Sequence, residues 1–111
     1  MNDTNFRKLL AFLRRRFPVD PQQGKIHVRR RKTAGGMHGL TTFSNLHAGV
    51  IRFRIRIESG ITPTETTDSV IHEMAHVYAI LDACFHPDSP LTYGQWRERL
   101  YAAWEKSNLT E

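Results

Sequence analysis

Between residues 50 and 58 the chain alternates strictly, with Ile51, Phe53, Ile55 and Ile57 apolar and Arg52, Arg54 and Arg56 charged. A period of two belongs to a β-strand with one face buried and one in water, so Val50–Glu58 is the clearest strand. Residues 4–17 keep a different rhythm. Phe6, Leu9, Leu10, Leu13 and Phe17 recur at helical spacing, with Asp3 or Thr4 as cap and Pro18 as stop. Two shorter strands are expected at Lys25–Arg29, with Ile26 and Val28 on one face, and at Gly39–Ser44. A loop through Gly35 and Gly36 and a turn containing His47 separate the strands.

Thr62, Pro63 and Glu65 form the pattern of a helix cap, a first-turn proline and a capping-box acid. The helix they open is predicted to run to about Asp82 or Ala83. Val70, Ile71, Met74, Ala75, Val77, Tyr78, Ile80 and Leu81 leave it few positions for solvent, so most of its surface must be buried. Pro87 and Pro90 then impose a loop. A last helix, capped at Ser89 or Thr92, buries a stripe of Tyr93, Trp96, Leu100, Ala103 and Trp104. The elements together predict one α+β domain over residues 1–111: an N-terminal helix, a small three-stranded antiparallel sheet, a long buried helix and a C-terminal helix.

A chain of 111 residues supports one modest core. It holds no apolar run long enough to span a bilayer, and its first residues lack the pattern of a signal peptide. Cys84 is the single cysteine, which excludes an internal disulfide framework and makes a cytoplasmic location the expectation. Charge changes the picture more. Residues 1–56 carry thirteen Lys and Arg against two acids, whereas residues 57–111 carry three against nine. Arg29, Arg30, Arg31 and Lys32 form a concentrated positive spot, and Arg52, Arg54 and Arg56 a row of guanidiniums. Such asymmetry suggests a face for nucleic acid, with DNA as a candidate partner. A solvated surface, or an edge strand protected by charge, accounts for the same pattern.

Inside the long helix lies His72-Glu73-Met74-Ala75-His76, an H-E-x-x-H run. Residues four apart share a helical face, so His72 and His76 can reach one metal ion, with Glu73 beside the place of a bound water. This is the pattern of a zinc hydrolase, in which the carboxylate takes the proton of the water. A catalytic zinc usually has a third protein ligand. With the helix ending near Asp82, four further residues would let His86 return to the metal; Glu98 and Asp88 are the alternatives.

Over roughly residues 20–105 the sequence resembles the SprT-like (Spartan-related) zinc metallopeptidases. The resemblance is carried by Val50-Ile-Arg-Phe-Arg-Ile-Arg-Ile57, a polar turn, and Val70-Ile-His-Glu-Met-Ala-His-Val77. It implies a zincin-like fold, a Zn2+ cofactor and hydrolysis of peptide bonds in protein substrates, including proteins bound to DNA. That family opens its last helix with a third zinc histidine, a glycine and then an aromatic residue. This chain reads Thr92-Tyr93-Gly94-Gln95-Trp96 there, without the histidine, and it lacks the family's Cys-rich zinc ribbon. The expected function is that of a metallopeptidase with Glu73 as general base and His72, His76 and His86 as ligands. The rival expectation is a non-catalytic zinc protein that binds nucleic acid or regulates a partner.

Overall fold

The computed structural model describes residues 4–32, 38–45 and 49–107; Asp3, the Gly35–Gly36 loop and His47 lie outside them. The first helix, α1 (Thr4–Arg16), is followed by strands β1 (Gly24–Arg31), β2 (Gly39–Asn45) and β3 (Ile51–Glu58). Two helices complete the chain, α2 (Pro63–Phe85) and α3 (Tyr93–Glu105).

Strand order in the sheet is β1-β3-β2. β2 pairs with β3 antiparallel, but β1 pairs with β3 in parallel, so the sheet is mixed rather than antiparallel. Successive strands still alternate in direction. What differs is the order across the sheet. β3 carries the most completely buried row, Ile51, Phe53, Ile55 and Ile57, each no more than 3% exposed. Burial of such side chains is worth roughly 1.5–3 kcal/mol each, which favours placing this strand in the centre. The two strands that run the same way thereby become neighbours.

α2 lies on the apolar face of the sheet and touches β2 and β3, while α1 and α3 pack against its other sides. Its apolar residues Val70, Ile71, Met74, Ala75 and Val77 are almost completely buried, as expected for a helix enclosed on most sides. Phe17, Tyr78 and Trp96 join the three helices through ring contacts of 4.8–5.9 Å. The Tyr78 hydroxyl donates to the Phe17 carbonyl at 2.8 Å. Burial pushes that phenol's pKa well above its ordinary value.

Both late helices open with the expected capping boxes. The Thr62 hydroxyl accepts from the Glu65 N–H, and the Glu65 carboxylate accepts from the Thr62 N–H. Thr92, not Ser89, caps α3 in the same reciprocal way with Gln95. α2 ends later than the apolar pattern suggests. Cys84 and Phe85 remain helical and His86 is the C-cap, with φ −133° and ψ 58°. Pro87 supplies the reason, because it disfavours helical geometry in the residue before it and not earlier. Among the described residues no helix is long and apolar enough to cross a membrane.

Candidate metal centre

His72, Glu73 and His76 come from the middle of α2, where the helix passes beneath β2. The two imidazoles converge, with their Nε2 atoms 3.3 Å apart and their rings nearly perpendicular at 86°. Two nitrogens bound to one tetrahedral zinc at about 2.0–2.1 Å stand about 3.3–3.4 Å apart, so this pair fits a shared ion. Burial is the main force lowering the His76 pKa, and the neighbouring His72 adds to it against an opposing pull from Glu73. His76 is thereby held neutral, the form whose ring nitrogen can bind a metal.

Glu73 is the one buried acid among the described residues, 6% exposed. Its Oε2 stands 3.9 Å from His72 Nε2. β2 clamps the carboxylate from above: the Thr41 hydroxyl donates to Glu73 Oε1 at 2.5 Å. Gly39, two residues earlier and on the same strand face, leaves the space that Oε2 fills, since a Cβ there would lie 2.9 Å from that atom. Neither residue carries a motif that would have singled it out. Their roles follow from the register of β2 against β3, which pairs Gly39 with Ile57 and Thr41 with Ile55.

Two hollows open on the site. One, of about 450 Å³, is lined by His38, Asp68, Ser69 and Arg97 beside His72 and Glu73. The other, of about 330 Å³, runs past Leu40, Thr41, Phe43 and Ile80 to His76. Gly39, His72 and Glu73 border both, so the carboxylate sits where the two meet. At the rim of the first, the Tyr101 hydroxyl donates to Asp68 at 2.5 Å, and burial with that acid pushes the phenol up to about 12.

The remaining expected ligands are not brought to the pair. Ten residues of helical rise place His86 about 15 Å along the axis from His76, and it is exposed there, as are Asp88 and Glu98. Among the described residues no three His, Cys, Asp or Glu side chains are grouped so as to hold an ion. Tyr93 stands at the histidines instead. Its hydroxyl is hydrogen-bonded to His72 Nδ1, and its ring stacks on His76 at 4.3 Å and 24°. Burial raises its pKa above the ordinary phenol value against the opposing pull of the Arg97 charge, with a smaller push from Glu73, which keeps the phenol neutral. Sequence reasoning assigned Tyr93 to the buried stripe of α3. The local signal available was its place in the first turn of that helix, directly after the Thr92 cap.

The basic residues divide. Arg29, Arg31, Arg52, Arg54 and Arg56 are exposed on the sheet face turned away from α2, and Lys32 follows exposed after β1. Arg30 points the other way: it donates to the Thr66 hydroxyl at 3.0 Å and lies 5.1 Å over the Phe6 ring. Comparison with family models, with curated proteins and with solved structures gave no significant match.

Proposed function

We propose that the protein is a zinc-dependent metallopeptidase that cuts within extended polypeptides. One observation carries this reading: two imidazole Nε2 atoms at the spacing of a shared tetrahedral ion, beside a buried carboxylate, where two open hollows meet. His72 and His76 would hold the ion, which when bound supplies Lewis acidity and makes a water nucleophilic near neutral pH. Glu73 takes the proton of the attacking water and passes it to the leaving amine nitrogen. Thr41 and Gly39 keep its carboxylate aimed for both transfers. The Tyr93 hydroxyl oxygen would accept a hydrogen bond from His72 Nδ1–H, the tautomer that leaves the Nε2 lone pair for the ion, and its ring steadies His76.

The substrate class follows from the cleft. β2 is an edge strand of the sheet among the described residues; one hollow runs along it from Gly39 to Phe43 and the other opens at its first residue. An extended peptide can add to such an edge through main-chain hydrogen bonds, bringing a scissile carbonyl over Glu73. Phe43, 56% exposed at the edge, offers an apolar contact for one substrate side chain. The buried Glu73 carboxylate beside the two histidines is what favours the catalytic reading over a structural zinc, which needs no proton acceptor at its side.

Glu73→Gln tests it. The variant is expected to bind zinc as the parent does and to lose peptide hydrolysis by at least about a hundredfold, the low end for a missing general base. Undiminished hydrolysis in the variant, or a parent protein that binds no zinc, overturns the proposal.

A further inference from the structure

The register of the parallel pair places Lys25 beside Arg52, His27 beside Arg54 and Arg29 beside Arg56. Register partners point to the same sheet face, and this face is the one opposite α2. With Arg31 the side chains line a groove of about 490 Å³. His27 accepts from the Arg29 Nε–H at 2.8 Å, which ties that guanidinium to the strand face. On the β2 side the same face continues with Leu40, Thr42 and Ser44, paired with Arg56, Arg54 and Arg52.

Solvation alone is a poor account of this groove. Like charges set directly across a strand pair destabilise a sheet, and here two of the three cross-strand pairs named are cationic on both sides. Edge protection does not account for Arg52, Arg54 and Arg56, because β3 is the central strand. A ligand that offsets the repulsion must bring negative charge at a regular repeat. Side chains on one face of a strand recur about every 6.6–6.8 Å, and the second row lies about 4.8 Å away. The residues lining the groove include no Phe, Tyr or Trp on which bases could stack, and the ring nitrogen of His27, the one aromatic side chain there, is taken up by Arg29.

We propose that this face binds the phosphodiester backbone of nucleic acid without reading its sequence. Guanidiniums match phosphate oxygens in bidentate geometry, and a phosphodiester chain presents a charge at every residue. An acidic peptide would need its carboxylates repeated on one side. The sheet separates the groove from Glu73, which lies on the α2 face, so the nucleic acid is held away from the cleft and leaves it free. This site stands independently of the peptidase reading, because binding is measured without turnover.

The test is fluorescence anisotropy of the whole protein with a labelled short single strand, its duplex and a labelled polyglutamate, over a salt series. Arg52→Gln, Arg54→Gln and Arg56→Gln are combined in one variant; Arg7→Gln, Lys8→Gln and Arg15→Gln on α1 make a control with the same loss of charge. Both are checked by circular dichroism. Each guanidinium removed from a single-strand phosphate is expected to cost on the order of tenfold at about 50 mM salt and to reduce the salt slope by about 0.7. The groove variant should therefore bind several hundredfold more weakly, with a slope smaller by about 2, while the control stays within about threefold. Equal weakening in both variants would assign binding to net charge and overturn the site. Tighter binding of polyglutamate would make an acidic protein the partner and overturn the proposal, as would a strong preference among base sequences. If the groove variant misfolds, Arg54→Gln alone should still cost about tenfold; unchanged binding there overturns the proposal.

Discussion

Gly39→Ala isolates the position of one carboxylate. Gly39 does not have a positive φ, so its backbone accepts alanine and the only obstacle is space. The new methyl would stand 2.9 Å from Glu73 Oε2, 3.0 Å from Cγ and 3.3 Å from Cδ. Ordinary contact for such a carbon begins at 3.4 Å, so something must give by about half an ångström. Glu73 cannot swing freely into water, because its side chain is 8% exposed and Thr41 holds its other oxygen at 2.5 Å. Either the carboxylate shifts or β2 lifts away from α2.

A misplacement of about 1 Å costs roughly a hundredfold in rate, so half of that corresponds to about tenfold. Overpacking of this kind also costs about 1–3 kcal/mol of stability, seen as a fall of several degrees in Tm. The assay is turnover of an internally quenched peptide at saturating zinc, with metal content and thermal melting measured on the same samples. The expected result is a kcat about ten times lower with zinc content unchanged. Thr41→Val should move kcat in the same direction, since it removes the hydroxyl from a buried acceptor, and Thr41→Ser should restore it. Unchanged kcat in a folded Gly39→Ala protein would refute the clamp. Loss of zinc in step with activity would place the damage at His72 instead.

Two further outcomes follow from the structure. Tyr93→Phe keeps the ring on His76 and removes the hydroxyl from His72 Nδ1; zinc affinity, measured by competition with a chromophoric chelator, should fall about 10- to 100-fold with little change in Tm. Asp82→Ala removes the acceptor of both the Leu91 N–H at 3.1 Å and the Trp96 Nε1–H at 2.9 Å. Those bonds fix the 86–92 connection and α3, so chemical denaturation should show a loss of about 1–3 kcal/mol for the uncovered partners.

Local signals were legible in the chain and distant ones were not. Thr62, Pro63 and Glu65 specify the start of α2 by hydrogen bonds within four residues, and Thr92 with Gln95 does the same for α3. The alternation of Ile51, Phe53, Ile55 and Ile57 marks both the strand and its buried face. Pairing is different. Nothing within β1 states that its partner lies 27 residues away at β3 rather than at β2, the next strand in sequence. Apolar periodicity also ended α2 too early, because Cys84 is exposed and interrupts the stripe, whereas backbone geometry before Pro87 sets the real end. Those few extra helical residues carry His86 away from the pair it was expected to join.

The register of β2 decides both sides of the sheet together. A slip of one residue would exchange its faces completely. Gly39 and Thr41 would leave Glu73, and Leu40 or Thr42 would be driven onto a carboxylate that has room only for a glycine. Phe43 opposes this: it pairs with Phe53 on the inner face, the rings 6.1 Å apart, and a slip would turn it out among the arginines. The half-exposed Phe43 therefore has a structural reason to be aromatic even before any substrate arrives. Because the same register faces Thr42 and Ser44 toward Arg54 and Arg52, the aromatic pair that keeps the clamp on Glu73 also keeps a bulky ring from crowding those two guanidiniums.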